Sequence, residues 1–222
     1  MKRRDFIKDA SLLACGISLP FASTSIFSSC TRKNSFDISL AEWSLHRALF
    51  SNEIDHLDFI SLARTEFEIN AVEYVNTFFF NKAKDQKYLN EMKAISTDNG
   101  VKNLLIMCDN EGDLGDPQKK IRNQAVENHF KWADAAKYLG CHSIRVNARS
   151  DKNLSSEEQL NLAADGLIKL ADYCSQLKIN TIVENHGGLS SNGKWLSDLI
   201  KKVDHPNVCL LYTSDAADDS LR

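Results

Sequence analysis

A carboxylate, an amide and an imidazole follow one another at Glu184, Asn185 and His186, directly after the β-branched run 181–183. Such a short apolar run is typical of a buried parallel strand, and two glycines end it after the histidine. In an α/β barrel, polar side chains at the C-terminal end of a strand face the mouth, where the chemistry takes place. Three hydrogen-bonding side chains at one strand end are costly to bury without partners, so this segment predicts a functional site.

Polar and aromatic side chains also stand at the ends of other candidate strands. In chain order they are Glu42, Trp43 and His46, then Glu73 and Asn76, then Cys108, Asp109 and Glu111, then Arg145 and Asn147. Because the C-terminal ends of parallel strands meet at one rim, we expect these groups to converge. Simpler explanations exist for some of them: Trp43 suits the core as well as a substrate platform. An ion pair with Arg145 would explain Glu73.

Short apolar runs alternate with longer stretches of helical period from residue 36 onward, which is typical of repeated βα units. A capping box of Ser155 and Glu158 predicts the start of one helix. Asp116 followed by Pro117 predicts the start of another, which Gly140 ends. The candidate strands span residues 36–43, 69–75, 101–108, 143–147, 180–185 and 207–212.

The same alternation would suit a doubly wound nucleotide-binding fold, but no glycine-rich phosphate-binding turn follows any candidate strand. A barrel is therefore favoured, and a complete (β/α)₈ barrel typically needs about 250 residues. The 222-residue chain offers five βα units and the start of a sixth. The sequence therefore predicts an α/β fold of the incomplete (β/α)₈ TIM barrel type over residues 36–208.

Composition and cysteine spacing argue against several classes of function and site. A net charge of −3, with 43% hydrophobic and 26% charged residues, describes one ordinary globular domain without the basic excess of a nucleic-acid-binding protein. The cysteines after the first 30 residues form no C-x-x-C pair, and each lies in or beside an apolar segment. We therefore expect buried thiols rather than a zinc site or a disulfide framework at Cys108, Cys141, Cys174 and Cys209.

Residues 1–30 have the pattern of an export signal. The pair Arg3-Arg4 with Phe6 and Lys8 resembles a twin-arginine signal, and the weakly apolar run 10–31 suits a signal peptide better than a membrane span. The alternative is a poor N-terminal anchor helix. Residues 27–30 resemble a degenerate lipobox, which leaves open a lipid on Cys30 or a simple cleavage nearby. We expect an exported protein, periplasmic or anchored to the membrane through a lipidated Cys30.

Four segments of the chain resemble the xylose isomerase-like TIM barrel superfamily, and within it the sugar phosphate isomerase/epimerase branch. They are residues 39–46, 71–76, 139–147 and 183–188. The resemblance implies a divalent metal, Mn²⁺ or Mg²⁺, held in the barrel mouth by carboxylates and a histidine from the fifth to eighth strands. Glu184 matches the first of these ligands, and the resemblance gives it a second role as the acid/base residue.

The activity that the resemblance implies is isomerisation or epimerisation of a small-molecule sugar through an enediolate, formed when a carbon-bound proton is removed. Substrate contacts are then expected from His46, Glu73, Arg145, Asn147 and His186, the arginine being suited to an anionic group. The alternative is a non-catalytic exported carbohydrate-binding barrel. A nuclease of the same superfamily is disfavoured by the acidic balance, the export pattern and the lack of a dense histidine cluster.

Residues 209–222 depart from the family pattern, which leads into a sixth strand that ends in an aspartate-containing turn. We expect non-native sequence there, with a genuine short tail as the alternative, and Asp215 is therefore not assigned as a ligand. One carboxylate cannot hold Mn²⁺ or Mg²⁺ in an all-protein site. The metal site is thus expected to be incomplete and this chain to be inactive.

Overall fold

A computed structural model describes residues 37–211, which contain one parallel sheet of six strands in the order β1-β2-β3-β4-β5-β6. The strands are β1 Leu40–Ala41, β2 Ala71–Val75, β3 Lys102–Met107, β4 Ser143–Val146, β5 Asn180–Glu184 and β6 Val208–Leu211. The helices are α1 His46–Phe50, α2 Asp58–Thr65, α3 Gln86–Asp98, α4 Lys119–Leu139, α5 Ser156–Gln176 and α6 Gly193–Val203.

Each strand pairs in parallel with the next strand along the chain, and a helix lies between each successive pair from β1 to β6. This is the arrangement of a (β/α) barrel whose wall is opened out, because within residues 37–211 β1 and β6 are not paired with each other. The predicted incomplete (β/α)₈ barrel is confirmed. The first predicted strand was too long: only Leu40–Ala41 is extended, and a 3₁₀ turn follows at Glu42–Leu45.

Local signals set most helix ends. The hydroxyl of Ser155 accepts the N–H of Glu158 at 3.2 Å, and Glu158 accepts the N–H of Ser155 at 3.0 Å, so the predicted capping box is present. Gly140 ends α4 in the left-handed conformation with φ 82°, which suits a residue without a Cβ. The predicted start of α4 was two residues early, because Asp116 Oδ1 accepts the N–H of Gln118 in a turn before the helix.

The core lies between the sheet and the helices, and Trp132, Tyr74, Phe59 and Leu170 are completely buried in it. The predicted buried thiols are confirmed at Cys108, Cys141 and Cys174, whereas Cys209 is exposed. Within the described part of the chain, no helix is both long enough and apolar enough to cross a membrane. The predictions for residues 1–30 lie outside the described residues. Of the predicted non-native tail 209–222, residues 209–211 belong to β6 and the rest also lies outside the described residues.

Candidate functional site

The C-terminal ends of the strands surround a cavity of about 720 Å³. This is the rim at which the sequence predicted that polar groups would converge. The ends of all six described strands contribute residues to its lining, among them Trp43, Glu73, Asp109, Arg145, Glu184, His186 and Leu211. The cavity therefore lies at the end of the barrel where proteins of this topology bind small molecules.

Arg145 is the central cation of the cavity. It lies on β4, between two carboxylates, and is itself almost fully buried. Its Nη1 donates to Asp109 Oδ1 at 3.0 Å, and its Nε lies 2.9 Å from Glu184 Oε2. The Nε–H makes no aligned hydrogen bond within residues 37–211, so its contact with Glu184 is an ion pair of loose geometry. Two carboxylates thus compensate one guanidinium that burial has taken out of water.

Glu184 ends β5 with 13% of its side chain exposed. That exposure makes the carboxylate accessible from the cavity while Arg145 restrains its orientation. His186 follows as an exposed residue of the lining, and its backbone N–H donates to the carbonyl of Glu184 at 2.9 Å and contacts the hydroxyl of Ser190 at 3.1 Å. The predicted pair of Glu184 and His186 therefore lies on the same wall of the cavity.

Asp109 belongs to the site, although the sequence analysis did not choose it as a site residue. Its backbone N–H donates to the side chain of the fully buried Asn76 at 2.9 Å, and the amide of Asn76 donates back to its carbonyl at 2.9 Å. Its carboxylate also accepts from Asn147 Nδ2 at 2.8 Å. Its position directly after β3 was the signal that could have identified it.

The other three predicted substrate contacts lie at different positions relative to the main cavity. Glu73 lines the cavity but accepts a hydrogen bond from Ser39 at 2.6 Å, and no ion pair joins it to Arg145 among the described residues. Asn147 lies behind Asp109, in the wall of a second, adjoining cavity of about 220 Å³. His46 stacks on Trp43 with 4.8 Å between ring centroids and does not itself line the main cavity. Their roles as substrate contacts stay predictions.

Trp43 is 49% exposed, so it is not a core residue. Its ring packs edge-on against Phe50 at 6.1 Å and tilted against Phe78 at 6.2 Å. These contacts hold a broad apolar face beside the cavity lining. The core alternative is therefore wrong, and the role of Trp43 as a substrate platform stays a prediction.

Glu42 does not face the rim; it is completely buried. Its Oε2 accepts the N–H of Val75 at 2.7 Å, and its Oε1 lies 3.3 Å from His56 Nε2. The other nitrogen of His56 contacts the hydroxyl of Tyr88 at 2.7 Å. Burial raises the pKa of Glu42 well above its usual range and lowers the pKa of His56 to about 4, because it disfavours the charged form of each group. This series of side-chain contacts joins the 3₁₀ turn after β1 to β2 and α3.

The described residues do not fit a divalent metal site by themselves. Within 37–211 no group of three or more histidine, cysteine, aspartate or glutamate side chains is placed to hold an ion. Glu184 would supply one oxygen donor, and Asp109 is occupied by Arg145 and Asn147. Mn²⁺ and Mg²⁺ need several oxygen ligands, so no chemical step is assigned to a metal in this part of the chain.

Comparison with known proteins identifies the architecture. The model of one family, the xylose isomerase-like TIM barrel, matches residues 62–214, which is more than half of the chain. A comparison with curated proteins found no significant match.

Solved structures with the same fold have low sequence identity. A probable 3-DHS dehydratase from Bacillus anthracis has a TM-score of 0.63 at 18% identity, over 80% of this chain and 62% of its own. D-Psicose 3-epimerase from Clostridium cellulolyticum has a TM-score of 0.61 at 16% identity, over 78% of this chain and 62% of its own. The 3-keto-D-glucoside 4-epimerase from E. coli has a TM-score of 0.61 at 14% identity, over 71% of this chain and 63% of its own. The chain thus spans less than two thirds of the length of these structures.

Proposed function

Because the chain belongs to the xylose isomerase-like TIM barrel family, we propose that it is the greater part of an exported, divalent-metal-dependent sugar isomerase or epimerase. The observation that carries this proposal is the contact of Glu184 with Arg145 at the open end of the barrel. It places a partly exposed carboxylate 2.9 Å from a buried guanidinium, inside a cavity of about 720 Å³. Two of the solved structures with this fold are sugar epimerases, which supports the choice of substrate class.

The chemistry assigned to Glu184 is proton transfer. Its carboxylate removes the proton from the carbon beside the sugar carbonyl, and the C–H electron pair becomes the double bond of an enediolate while charge moves to the carbonyl oxygen. In an isomerisation the same proton returns to the neighbouring carbon, and the hydroxyl proton passes to the former carbonyl oxygen, so that the carbonyl forms on the carbon that was first deprotonated. An epimerisation instead requires delivery from the opposite face by a second acid. Arg145 fixes the orientation of Glu184 in the cavity.

Binding of the sugar is assigned to the rest of the cavity. Trp43 offers a face to the apolar side of a sugar ring, and Glu73 and His186 offer hydrogen-bonding groups along the wall. Metal dependence follows in the proposal from the family resemblance, with Glu184 as one ligand, and it applies to a complete barrel. The 222-residue chain by itself is proposed to bind sugar without turning it over.

The proposal is tested by measuring proton exchange at carbon, because exchange reports the chemical step directly. In a form extended by the βα units that close the barrel, incubation with a ketose in D₂O and Mn²⁺ should wash deuterium into the sugar, as followed by ¹H NMR. Glu184→Gln should slow this exchange by about 10²–10⁴-fold, the usual contribution of a general base. Glu53→Gln is the matched control, since the Glu53 side chain is exposed, lies outside the cavity lining and accepts a hydrogen bond from Ser51. Exchange at the original rate in the Glu184 variant would refute the assignment.

A non-catalytic carbohydrate-binding protein is the second candidate, and the half-exposed ring of Trp43 in the cavity lining favours it, because an aromatic face can bind a sugar ring without any catalytic group. The two candidates differ in their response to the same substitution. In a binding protein, Glu184→Gln should leave sugar affinity within about threefold, and neither form should show metal-dependent exchange. In an enzyme, binding survives and exchange is lost.

A further inference from the structure

The cavity of about 220 Å³ beside the main one, called the smaller cavity below, is lined by a buried histidine. His129, on α4, is only 3% exposed. Its Nδ1 lies 2.7 Å from the carbonyl oxygen of Ala125, and because a carbonyl can only accept, Nδ1 carries the proton. Burial lowers the pKa of His129, so the ring stays neutral at pH 7 and Nε2 keeps its lone pair.

Nε2 of His129 is an acceptor without a partner in the described part of the chain. It makes no hydrogen bond within residues 37–211, and the polar atoms there that are both unpaired and closed off from solvent belong to other residues. The nitrogen is therefore reached from outside, and the smaller cavity is the opening that His129 lines. A buried acceptor of this kind requires a donor, either an O–H or an N–H.

The loop after β3 forms a fixed wall of the smaller cavity. The carboxylate of Glu111 accepts from the indole of Trp132 at 2.5 Å and from the ammonium of Lys131 at 3.0 Å. Its backbone carbonyl accepts from Asn128 Nδ2 at 3.0 Å. All three donors lie on α4, the helix that also carries His129. The cavity is therefore held open around the histidine by its own supporting contacts.

The charges that line the smaller cavity balance, which favours a neutral ligand. Glu111 is paired with Lys131 at 2.8 Å. Asp113 and Arg149 are exposed residues of the lining with opposite charges. A hydroxyl group can both donate and accept, so a group with several hydroxyls can donate to His129 and accept from Arg149.

The size of the smaller cavity sets the size of that group. A water molecule takes up about 30 Å³ of the liquid, so about 220 Å³ corresponds to roughly seven waters. Three hydroxylated carbons, with six non-hydrogen atoms, are of that size, whereas a whole sugar is larger. Asn110 and Arg149 line both cavities, so a ligand in the main cavity can extend into the smaller one.

We infer that the smaller cavity binds the neutral, hydroxylated end of the sugar, and that Nε2 of His129 accepts a hydrogen bond from one of its hydroxyls. The reacting carbons lie in the main cavity beside Glu184. His129 thereby selects sugars by the hydroxyls that lie away from the reacting carbons. This inference rests on the proposed function, because it takes the main cavity to be a sugar site.

The test is NMR spectroscopy on the full 222-residue chain with ¹⁵N-labelled histidine. Three probes are added in turn: D-fructose, glycerol, and 1-propanol, which has the three carbons of glycerol but a single hydroxyl. D-Fructose and glycerol should move the ¹⁵N signal of His129 Nε2 upfield and saturate it, as expected when a lone pair accepts a hydrogen bond, and 1-propanol should not. His142 is exposed and lies outside both cavities, so its signals are the internal control.

Two variants test the same contact through affinity, with the Nε–H signal of Arg149 as the reporter of glycerol binding. His129→Phe keeps a planar ring and removes the acceptor, so the affinity for glycerol should fall about threefold to tenfold, the contribution of one hydrogen bond. His129→Gln supplies another acceptor and should retain most of the affinity. The titration of the original chain decides the question by itself if either variant fails to fold.

The outcomes separate the inference from the proposed function. If the His129 signal responds to neither polyol, or equally to 1-propanol, the inference is wrong. A shift of the Trp43 indole signal by D-fructose in the same titration would leave the sugar site of the main cavity standing. If glycerol moves His129 but D-fructose moves neither His129 nor Trp43, the proposed function and the assignment of the smaller cavity to a sugar are both overturned.

Discussion

The buried pair of Glu42 and His56 makes the stability of the fold depend on pH in a way that one substitution can isolate. The pKa of His56 is lowered from 6.5 to about 4, chiefly because burial disfavours the imidazolium. At about 1.4 kcal/mol for each tenfold change in proton affinity, this difference corresponds to about 3 kcal/mol. That is a large share of the roughly 5–15 kcal/mol that stabilises a typical domain.

The sign follows from where the proton binds. Between pH 6.5 and about 4 the unfolded chain takes up a proton on His56 that the folded chain does not. The contribution of His56 is therefore complete above pH 6.5 and is lost as the pH falls toward 4. Glu42 acts in the opposite sense, because its pKa is raised in the folded state, so its contribution is lost as the pH rises. A comparison at His56 alone keeps the two apart.

We expect His56→Gln to flatten the acid side of the stability profile. Glutamine keeps a hydrogen-bonding group near Glu42 Oε1 but cannot take up a proton. The free energy of unfolding, from urea titrations followed by circular dichroism between pH 4 and 7, should fall by about 3 kcal/mol more in the original chain than in the variant. His142→Asn is the control, since His142 is exposed. Parallel profiles for the original chain and the His56 variant would refute the reasoning.

Two further predictions concern packing and capping, and both are read from urea unfolding. Gly166→Ala should lower the free energy of unfolding by about 1–3 kcal/mol, because the new Cβ would collide with the carbonyl of Leu114. Gly193→Ala is the control: its Cβ would meet open space, so the substitution should be neutral or slightly stabilising. Equal effects of the two substitutions would contradict the packing argument. Ser155→Ala should lower the free energy of unfolding by about 1 kcal/mol, because it removes the capping box of α5. Ser156→Ala, at the exposed neighbouring position, is the control and should lower it by less. An unchanged free energy of unfolding in the Ser155 variant would show that the cap is unimportant.

Elements with strong local signals could be predicted from the sequence, and those decided by distant contacts could not. Ser155 and Gly140 act within one helical turn of themselves, so their patterns located the start of α5 and the end of α4. Asp116 offered an equally local alternative, a turn to Gln118, which delayed the start of α4. The burial of Glu42 depends on Val75 and on His56 from other elements, and no period in the sequence reports such contacts.

The candidate site shows the same division. Placing polar residues at strand ends predicted that Glu73, Arg145, Glu184 and His186 would meet, and they line one cavity. The alternative explanation of Glu73, an ion pair with Arg145, is wrong for the described residues, because strand order separates the two side chains. β4 lies between β3 and β5, so Arg145 reaches Asp109 after β3 and Glu184 on β5, while Glu73 lies two strands away on β2. Once a barrel is inferred, its strand order is fixed, and adjacent strand ends should then be searched first for ion pairs.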